Sequence, residues 1–366
     1  MTLVRPAGTE PVPRAPRTAP SFAVISGAQV QHALRGRERE IVELVEATYR
    51  LHGAGDTVDP PSYFLRFPDR PDSRIIALPA SLGGPTPVDG LKWISSFPQN
   101  VAAGLPRASA VLILNDHVTG YPYACLESSI ISATRTAASA AAAADRLSRG
   151  RPRPRRVGFV GTGLIARYIH TFLAATGWQF DAIGVYDVSA DSAAGFRAYL
   201  ESSAGTEREE SPAGTAAQVT LHTDPGELIR TSDLVVFATV AARPHVSDLS
   251  WFAHHPLVLH VSLRDLAPGI LLAAANIVDD ADHCLRAGTS PHLAEQLSGG
   301  RDFVTGTLAD VLAGRVRVPA DRTVVFSPFG LGVLDLAVGA FVHDAVARTG
   351  DLHLIDDFFH ELRRYG

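Results

Sequence analysis

Hydrophobic positions change rhythm midway along the chain. Ser21–Ile25 is a short apolar run that predicts a strand. Glu38–Leu51 then places Ile41, Val42, Leu44, Val45 and Tyr49 at helical spacing. Tyr63–Phe67, Arg74–Pro79, Gly90–Ser95 and Ala110–Asn115 are strand-like runs separated by Pro-Asp, Gly-Gly-Pro and Thr-Gly, which predicts an antiparallel meander. Glu127–Leu147 is alanine-rich without a breaker and predicts a helix. Arg149–Arg156, with two prolines and five arginines, predicts an exposed connector.

From Val157 the order becomes strand, helix, strand. Val157–Val160, Ala182–Tyr186, Leu234–Thr239, Leu257–Val261 and Asn276–Val278 read as short buried strands, and Arg167–Thr176 and Ser192–Ser202 as helices between them. This alternation predicts an α/β fold with a Rossmann-type, doubly wound parallel sheet covered on both faces. Thr206–Ala216 is polar and reads as a surface insertion, while Gly330–Ala347 reads as an apolar helix returning the chain to its first half.

Composition sharpens this division. The 366 residues exceed the roughly 250–300 at which one core stops growing, so two domains are expected. With 46% hydrophobic and 19% charged residues the chain is built to pack, and its net charge of −5 argues against a broad nucleic-acid footprint. No apolar run reaches the ~18–20 residues of a membrane span. Val4–Pro20 is rich in Pro, Arg and Thr, unlike a signal peptide, so residues 1–20 are expected to be a mobile tail. Cys125 and Cys284 form neither a disulfide framework nor a CxxC pair, which fits a reducing cytoplasm. His254-His255 and His283-Cys284 lack partners at metal spacing, so no metal is expected. Among 33 basic residues only Lys92 is a lysine.

Gly161-Thr162-Gly163-Leu164-Ile165-Ala166 follows a predicted strand and opens a predicted helix. Gly161 suits the tight turn, Gly163 lets backbone approach a pyrophosphate, and Ala166 lets the helix pack on the sheet. The backbone N–H groups at the helix start, through Leu164 and Ile165, would face the phosphates. Asp187 ends the second strand about 20 residues later, where a carboxylate binds adenosine ribose hydroxyls and repels a 2′-phosphate. Val188 and Ser189 bring no arginine to reverse that, so NAD is favoured over NADP; the alternative for Asp187 is a helix cap. Thr239-Val240 and Ser262-Leu263 end later strands, where cofactors bind in this fold, or are ordinary loop residues.

Arg66, Lys92 and Arg135 each lie in an apolar setting with no adjacent acid in sequence, which is costly unless an anion pairs them. Each is also explicable alone as a snorkelling or salt-bridged residue. Together they point to a small carboxylate substrate. His117, beside Asp116, reads as a solvated turn residue.

The strings FLRFPD, GLKWISSFP, ASAVLILND, TGYPYACLESS, ATRTAAS, GFVGTGLIA and FGLGVLDLAVG resemble the ornithine cyclodeaminase/mu-crystallin family over roughly residues 20–350. Within it, SYFLRFPDRP, RIIALPAS and KWISSFPQN resemble the dehydrogenases of 2,3-diaminopropionate biosynthesis. That resemblance implies NAD-dependent oxidation of N-(1-amino-1-carboxyl-2-ethyl)-glutamate to 2-oxoglutarate and L-2,3-diaminopropionate, for siderophore or peptide-antibiotic pathways, by a homodimer. It implies carboxylate binding by Arg66 and Arg135, Lys92 at the reacting centre and Asp265 as a catalytic aspartate; Arg135 and Thr136 are also expected against the cofactor. Leu263-Arg264 stands where the family carries glycines, and Ile76-Ala77-Leu78-Pro79 lacks the family's acid for a distal ammonium, which disfavours cyclodeamination. Glu127 and Asp335 hold family active-site positions, or serve as helix-end or structural acids. The expected organisation is an α+β substrate-binding and dimerisation domain from 21–149 and 328–366, around an NAD-binding domain at 150–327. The alternatives are an imine reductase or alanine-type dehydrogenase, a cyclodeaminase, and a non-catalytic nicotinamide-bound protein.

Overall fold

The computed structural model describes residues 21–207 and 217–359. The expected tail, and most of the expected insertion at 206–216, lie outside the described residues. In the first part of the chain, strands β1 (Phe22–Ile25), β2 (Thr57–Val58), β3 (Tyr63–Phe67), β4 (Arg70–Leu82), β5 (Val88–Ser96), β6 (Ala108–Asp116) and β7 (Pro122–Glu127) accompany helices α1 (Gly27–Leu34), α2 (Glu38–Gly53) and α3 (Ser129–Leu147). The middle follows with β8 (Arg156–Val160), α4 (Leu164–Ala175), β9 (Ala182–Tyr186), α5 (Ala190–Glu207), β10 (Gln218–Leu221), α6 (Pro225–Arg230), β11 (Leu234–Phe237) and β12 (Leu257–His260). Next come α7 (Pro268–Ala273), β13 (Ala275–Val278), α8 (Ala281–Cys284), α9 (Ser290–Ser298), β14 (Val304–Thr307), α10 (Leu308–Leu312) and β15 (Val324–Ser327). Helix α11 (Gly332–Thr349) and β16 (His353–Ile355) close the described chain.

The strands form two sheets. The first runs β16-β1-β7-β6-β5-β4-β2, with β3 also on β4. Its β3–β6 part is the expected antiparallel meander; β7 extends it beyond the expectation, and β1 joins β7 in parallel, so the sheet is mixed. The second runs β10-β9-β8-β11-β12-β15-β13-β14, parallel throughout, a Rossmann-type sheet. Its order reverses between β8 and β11, the crevice where such sheets bind ligands.

Differences from the sequence reading have local causes. Strand β7 begins with Pro122, which weakens a strand signal, and Glu127 turns out to cap α3 instead of belonging to it. Its carboxylate accepts the N–H groups of Ser129 (2.6 Å) and Ile130 (3.2 Å). The arginine connector is mostly exposed, as expected, while Arg155 pairs with Asp181, Arg156 with Asp233, and Arg151 reaches the Pro319 carbonyl at 2.9 Å. Helix α3 packs between α2 and α4, and its alanines from Ala137 to Ala144 are buried. Small side chains let neighbouring helices approach closely, so one apolar core runs from the first sheet into the second. Among the described residues no helix is long and apolar enough to cross a membrane.

Candidate functional site

Register aims Lys92 inward. On β5 it lies opposite Leu78 of β4 and Leu112 of β6, on the face covered by α11. Its Nζ donates to Asp335 Oδ2 at 2.6 Å, with Ser132 Oγ at 3.4 Å. Arg135, on α3, donates from Nε to the other oxygen of Asp335 at 3.3 Å. Lys92 is 2% exposed and Asp335 0%. With no acid adjacent in sequence, Lys92 and Arg135 take the salt-bridged alternative: Asp335 pairs both from 200 or more residues away. Two cations on one buried carboxylate leave a net positive charge, suited to an anionic ligand. Burial, then the charge of Arg135, lower the Lys92 ammonium to about 8 against the pull of Asp335.

Arg66 does not join this group. It is exposed at the end of β3, its guanidinium 5.0 Å from the Phe64 ring centre, and it sits directly opposite Arg74 of β4.

The triad reaches the carboxyl edge of the second sheet through Arg135. Gly330, in the loop after β15, has φ +97°, and a Cβ there would collide with the Arg135 guanidinium. Asp279, after β13, fixes that loop by accepting the N–H groups of Phe329 (2.9 Å) and Gly330 (2.6 Å).

On the same edge Asp265 is buried and its oxygens are occupied. Thr239 Oγ1 and Ser262 Oγ donate to it, and His245 and His260 ring nitrogens lie at 3.1 and 3.3 Å. Burial pushes its carboxyl up, but hydrogen bonds from His245, His260 and Ser262 outweigh this and hold it far below the usual carboxylate range. Such a carboxylate is a weak base and a firm anchor. His245, with a 38% exposed side chain, is the group Asp265 presents to solvent. Sequence reading missed His245; its signal was a histidine just beyond the β11 strand end, in Arg243-Pro244-His245. The Thr239 and Ser262 hydroxyls expected at the cofactor are engaged by Asp265. Leu263 keeps a left-handed backbone, φ +66°, where its family has glycine by the resemblance above.

The glycine loop is built as its spacing requires. Gly161 has φ +90°, and a Cβ there would strike the Ala238 carbonyl oxygen at 2.6 Å. At Gly163 a Cβ would meet nothing within 4 Å, so open space faces the first turn of α4. Asp187 ties this loop to β9: Oδ2 accepts Thr162 N–H (2.9 Å) and Oγ1 (2.8 Å), and Oδ1 accepts Ser189 N–H (2.9 Å). Leu164, Val188 (94% exposed) and Val240 (75%) leave apolar surface around it, while Ile165 is half-buried. A backbone cradle, a free helix N-terminus and exposed apolar flanks fit a dinucleotide. Thr136 is half-buried one residue beyond Arg135, its hydroxyl on the Ser132 carbonyl at 2.7 Å.

His283 and His254 hydrogen-bond to the carbonyls of Asp59 and Ser232, and His117 to Asp89. A recess of about 690 Å³ between α1 and the end of α11 contains none of the residues gathered here, so volume alone does not locate the chemistry.

The sequence pattern of the ornithine cyclodeaminase/mu-crystallin family matches residues 23–350. The chain belongs to this family. Within it, the chain is 25% identical over 333 residues to N-((2S)-2-amino-2-carboxyethyl)-L-glutamate dehydrogenase of Staphylococcus aureus, covering 87% of this chain and 94% of that one. The crystal structure of CmnK superposes with TM-score 0.79 at 29% identity, over 93% of this chain and 100% of the other. An archaeal alanine dehydrogenase dimer with bound NAD gives TM-score 0.79 at 25% identity, over 92% and 100%.

Proposed function

We propose that this member of the family oxidises a CH–NH bond of an amino-acid conjugate carrying several carboxylates, with NAD as cofactor. The preferred substrate is N-(1-amino-1-carboxyl-2-ethyl)-glutamate, and the products are 2-oxoglutarate and L-2,3-diaminopropionate. The observation that carries this reading is the excess of cations at the cleft. Lys92 and Arg135 share one acid, and Arg66, Arg74, Arg107 and Arg264 have no carboxylate within ion-pair distance among the described residues. The Staphylococcus relative supports the same substrate class.

Gly161, Thr162, Gly163 and the first turn of α4 hold the pyrophosphate, and Asp187 with Val188 and Ser189 borders the adenosine. NAD held there would supply the hydride acceptor for the glutamate α-carbon. Arg135 orients the carboxylate on that carbon. Lys92, with its ammonium near 8, takes the proton from the secondary amine as the C=N bond forms. Water then adds to the imine carbon, His245 taking its proton while Asp265 fixes the ring. Both water protons pass to nitrogen, one through His245 and one from the carbinol hydroxyl as its C=O forms, and the C–N bond breaks to leave ketoacid and diamine. Asp265 is thus a positioning residue in this scheme. Asp335 keeps both cations in place.

The outward face of the first sheet carries exposed Tyr63, Trp93 and Val111 in one cross-strand row, beside exposed Leu65. We assign this face to a homodimer contact, which light scattering would test: a monomer at micromolar concentration overturns it. The free cysteines suit a cytoplasmic setting. The deciding assay mixes purified protein, NAD and the conjugate. NADH absorbance with equimolar 2-oxoglutarate is expected; no product, with oxidation of alanine instead, overturns the substrate assignment.

A further inference from the structure

Four arginines at the cleft are left over by the chemistry above, and three of them lie along one line. Arg66 and Arg74 face each other across β3 and β4, and Arg74 lies opposite Ser96 of β5. Ser96 Oγ accepts Arg107 Nη1 at 2.6 Å. Like charges directly opposite each other on neighbouring strands are destabilising. Arg74 is half-buried, and its Nε is buried without a hydrogen-bond partner. The same face of β4 carries Leu78, opposite Lys92, four residues further on, or about 13 Å along the strand.

The facing wall supplies the fourth. Arg264 follows Leu263, whose left-handed backbone is strained for a branched side chain, a conformation that persists only when its surroundings impose it. The Leu263 carbonyl is held by Ser290 N–H at 2.6 Å, and Arg264 Nη2 is steadied by the Ala287 carbonyl at 2.9 Å. That bond occupies one donor, and the neighbouring Asp265, engaged by its own partners, offsets the charge only in part. Burial, then the charges of Arg74 and Arg66, lower the Arg264 guanidinium, so the two walls feel each other.

We propose that Arg74 and Arg264, with Arg66 at the mouth, form a second carboxylate subsite that selects substrates bearing a distal carboxylate. The inference rests on the multi-carboxylate reading above and assigns the specificity-determining residues within it. A monocarboxylate such as alanine, held at Lys92 and Arg135, has no second carboxylate to offer Arg74. A ligand with a second carboxylate bridges the two walls and neutralises the cluster through charge-assisted hydrogen bonds.

The test uses two 2-oxo acids that differ in the distal carboxylate. Full-length protein with NAD is titrated calorimetrically with 2-oxoglutarate and with pyruvate. Wild type is expected to prefer 2-oxoglutarate by about 50-fold, the scale of losing one partner of a buried charged pair. Arg74→Ala and Arg264→Ala should bring that ratio to within a few-fold of unity, and Arg264→Lys should restore part of it. Thermal melts with NAD alone identify a variant that fails to fold, for which Arg74→Gln or Arg264→Gln replaces alanine. A wild type without the preference, or folded variants that keep it, overturns the subsite. Turnover of the conjugate is read separately. An intact 2-oxoglutarate preference without NADH formation from the conjugate removes that substrate and leaves the subsite standing.

Discussion

The glycine loop of the second sheet and the charged group of the first are built by opposite means. On the second sheet the proposed cofactor cradle is backbone: Gly161 turns where a Cβ cannot fit, and α4 offers its first N–H groups. Its one carboxylate, Asp187, is saturated locally by Thr162 and Ser189. On the first sheet the site is side-chain charge, and Asp335, Lys92 and Arg135 come from α11, β5 and α3. A backbone site tolerates side-chain changes that keep its shape. A charge site depends on every member, because removing one leaves another buried without compensation.

The largest effect expected is therefore on the charged wall. Asp335→Asn strands two buried cations and should lower stability by about 3–5 kcal/mol, visible as a loss of thermal melting temperature. An equal loss from Asp187→Asn would break the contrast between the walls.

Next comes Lys92→Arg, which keeps the charge and removes a proton carrier. It should lower kcat about 100-fold or more. Since the neutral amine is the acting form, wild-type kcat/KM should rise about tenfold per pH unit below about 8 and level off above it. The variant should lose that limb; a variant that keeps it shows the proton passing elsewhere.

Gly161→Ala tests the backbone wall. Strain at φ +90° and the contact with the Ala238 carbonyl should weaken NAD binding about tenfold or more by fluorescence titration. Substrate-side binding of 2-oxoglutarate, measured with saturating NAD, should change far less.

The smallest effect is expected at Asp187. Asp187→Asn should reduce the preference for NAD over NADP by about tenfold, the scale of one half-exposed charge contact. An unchanged preference would move cofactor selection to other residues.

Legibility followed the same division. The glycine loop was readable because its requirements are local: a strand, two glycines, a helix start and an acid within about 30 residues. Strands β8, β9, β11 and β12 were readable as short apolar runs because a parallel sheet is buried on both faces. β7 was not, because Pro122 and its brief run resemble a loop; its pairing with β1 and β6 makes it a strand. Asp335 could be weighed only as one acid among several, since nothing in Leu334-Asp335-Leu336 shows what α11 packs against. His245 was passed over because its partner Asp265 is 20 residues away.

By itself, then, the sequence determined the Rossmann-type half, the glycine turn between β8 and α4 and the unusual standing of Lys92, the sole lysine among 33 basic residues. These follow from periodicity and from residue types whose conformational demands act over a few neighbours. The tertiary structure decided which charges meet: Lys92 and Arg135 on Asp335, Arg66 against Arg74, and Asp265 beneath His245. Electrostatic pairing acts through space between elements far apart in the chain, so only the fold can choose the partners.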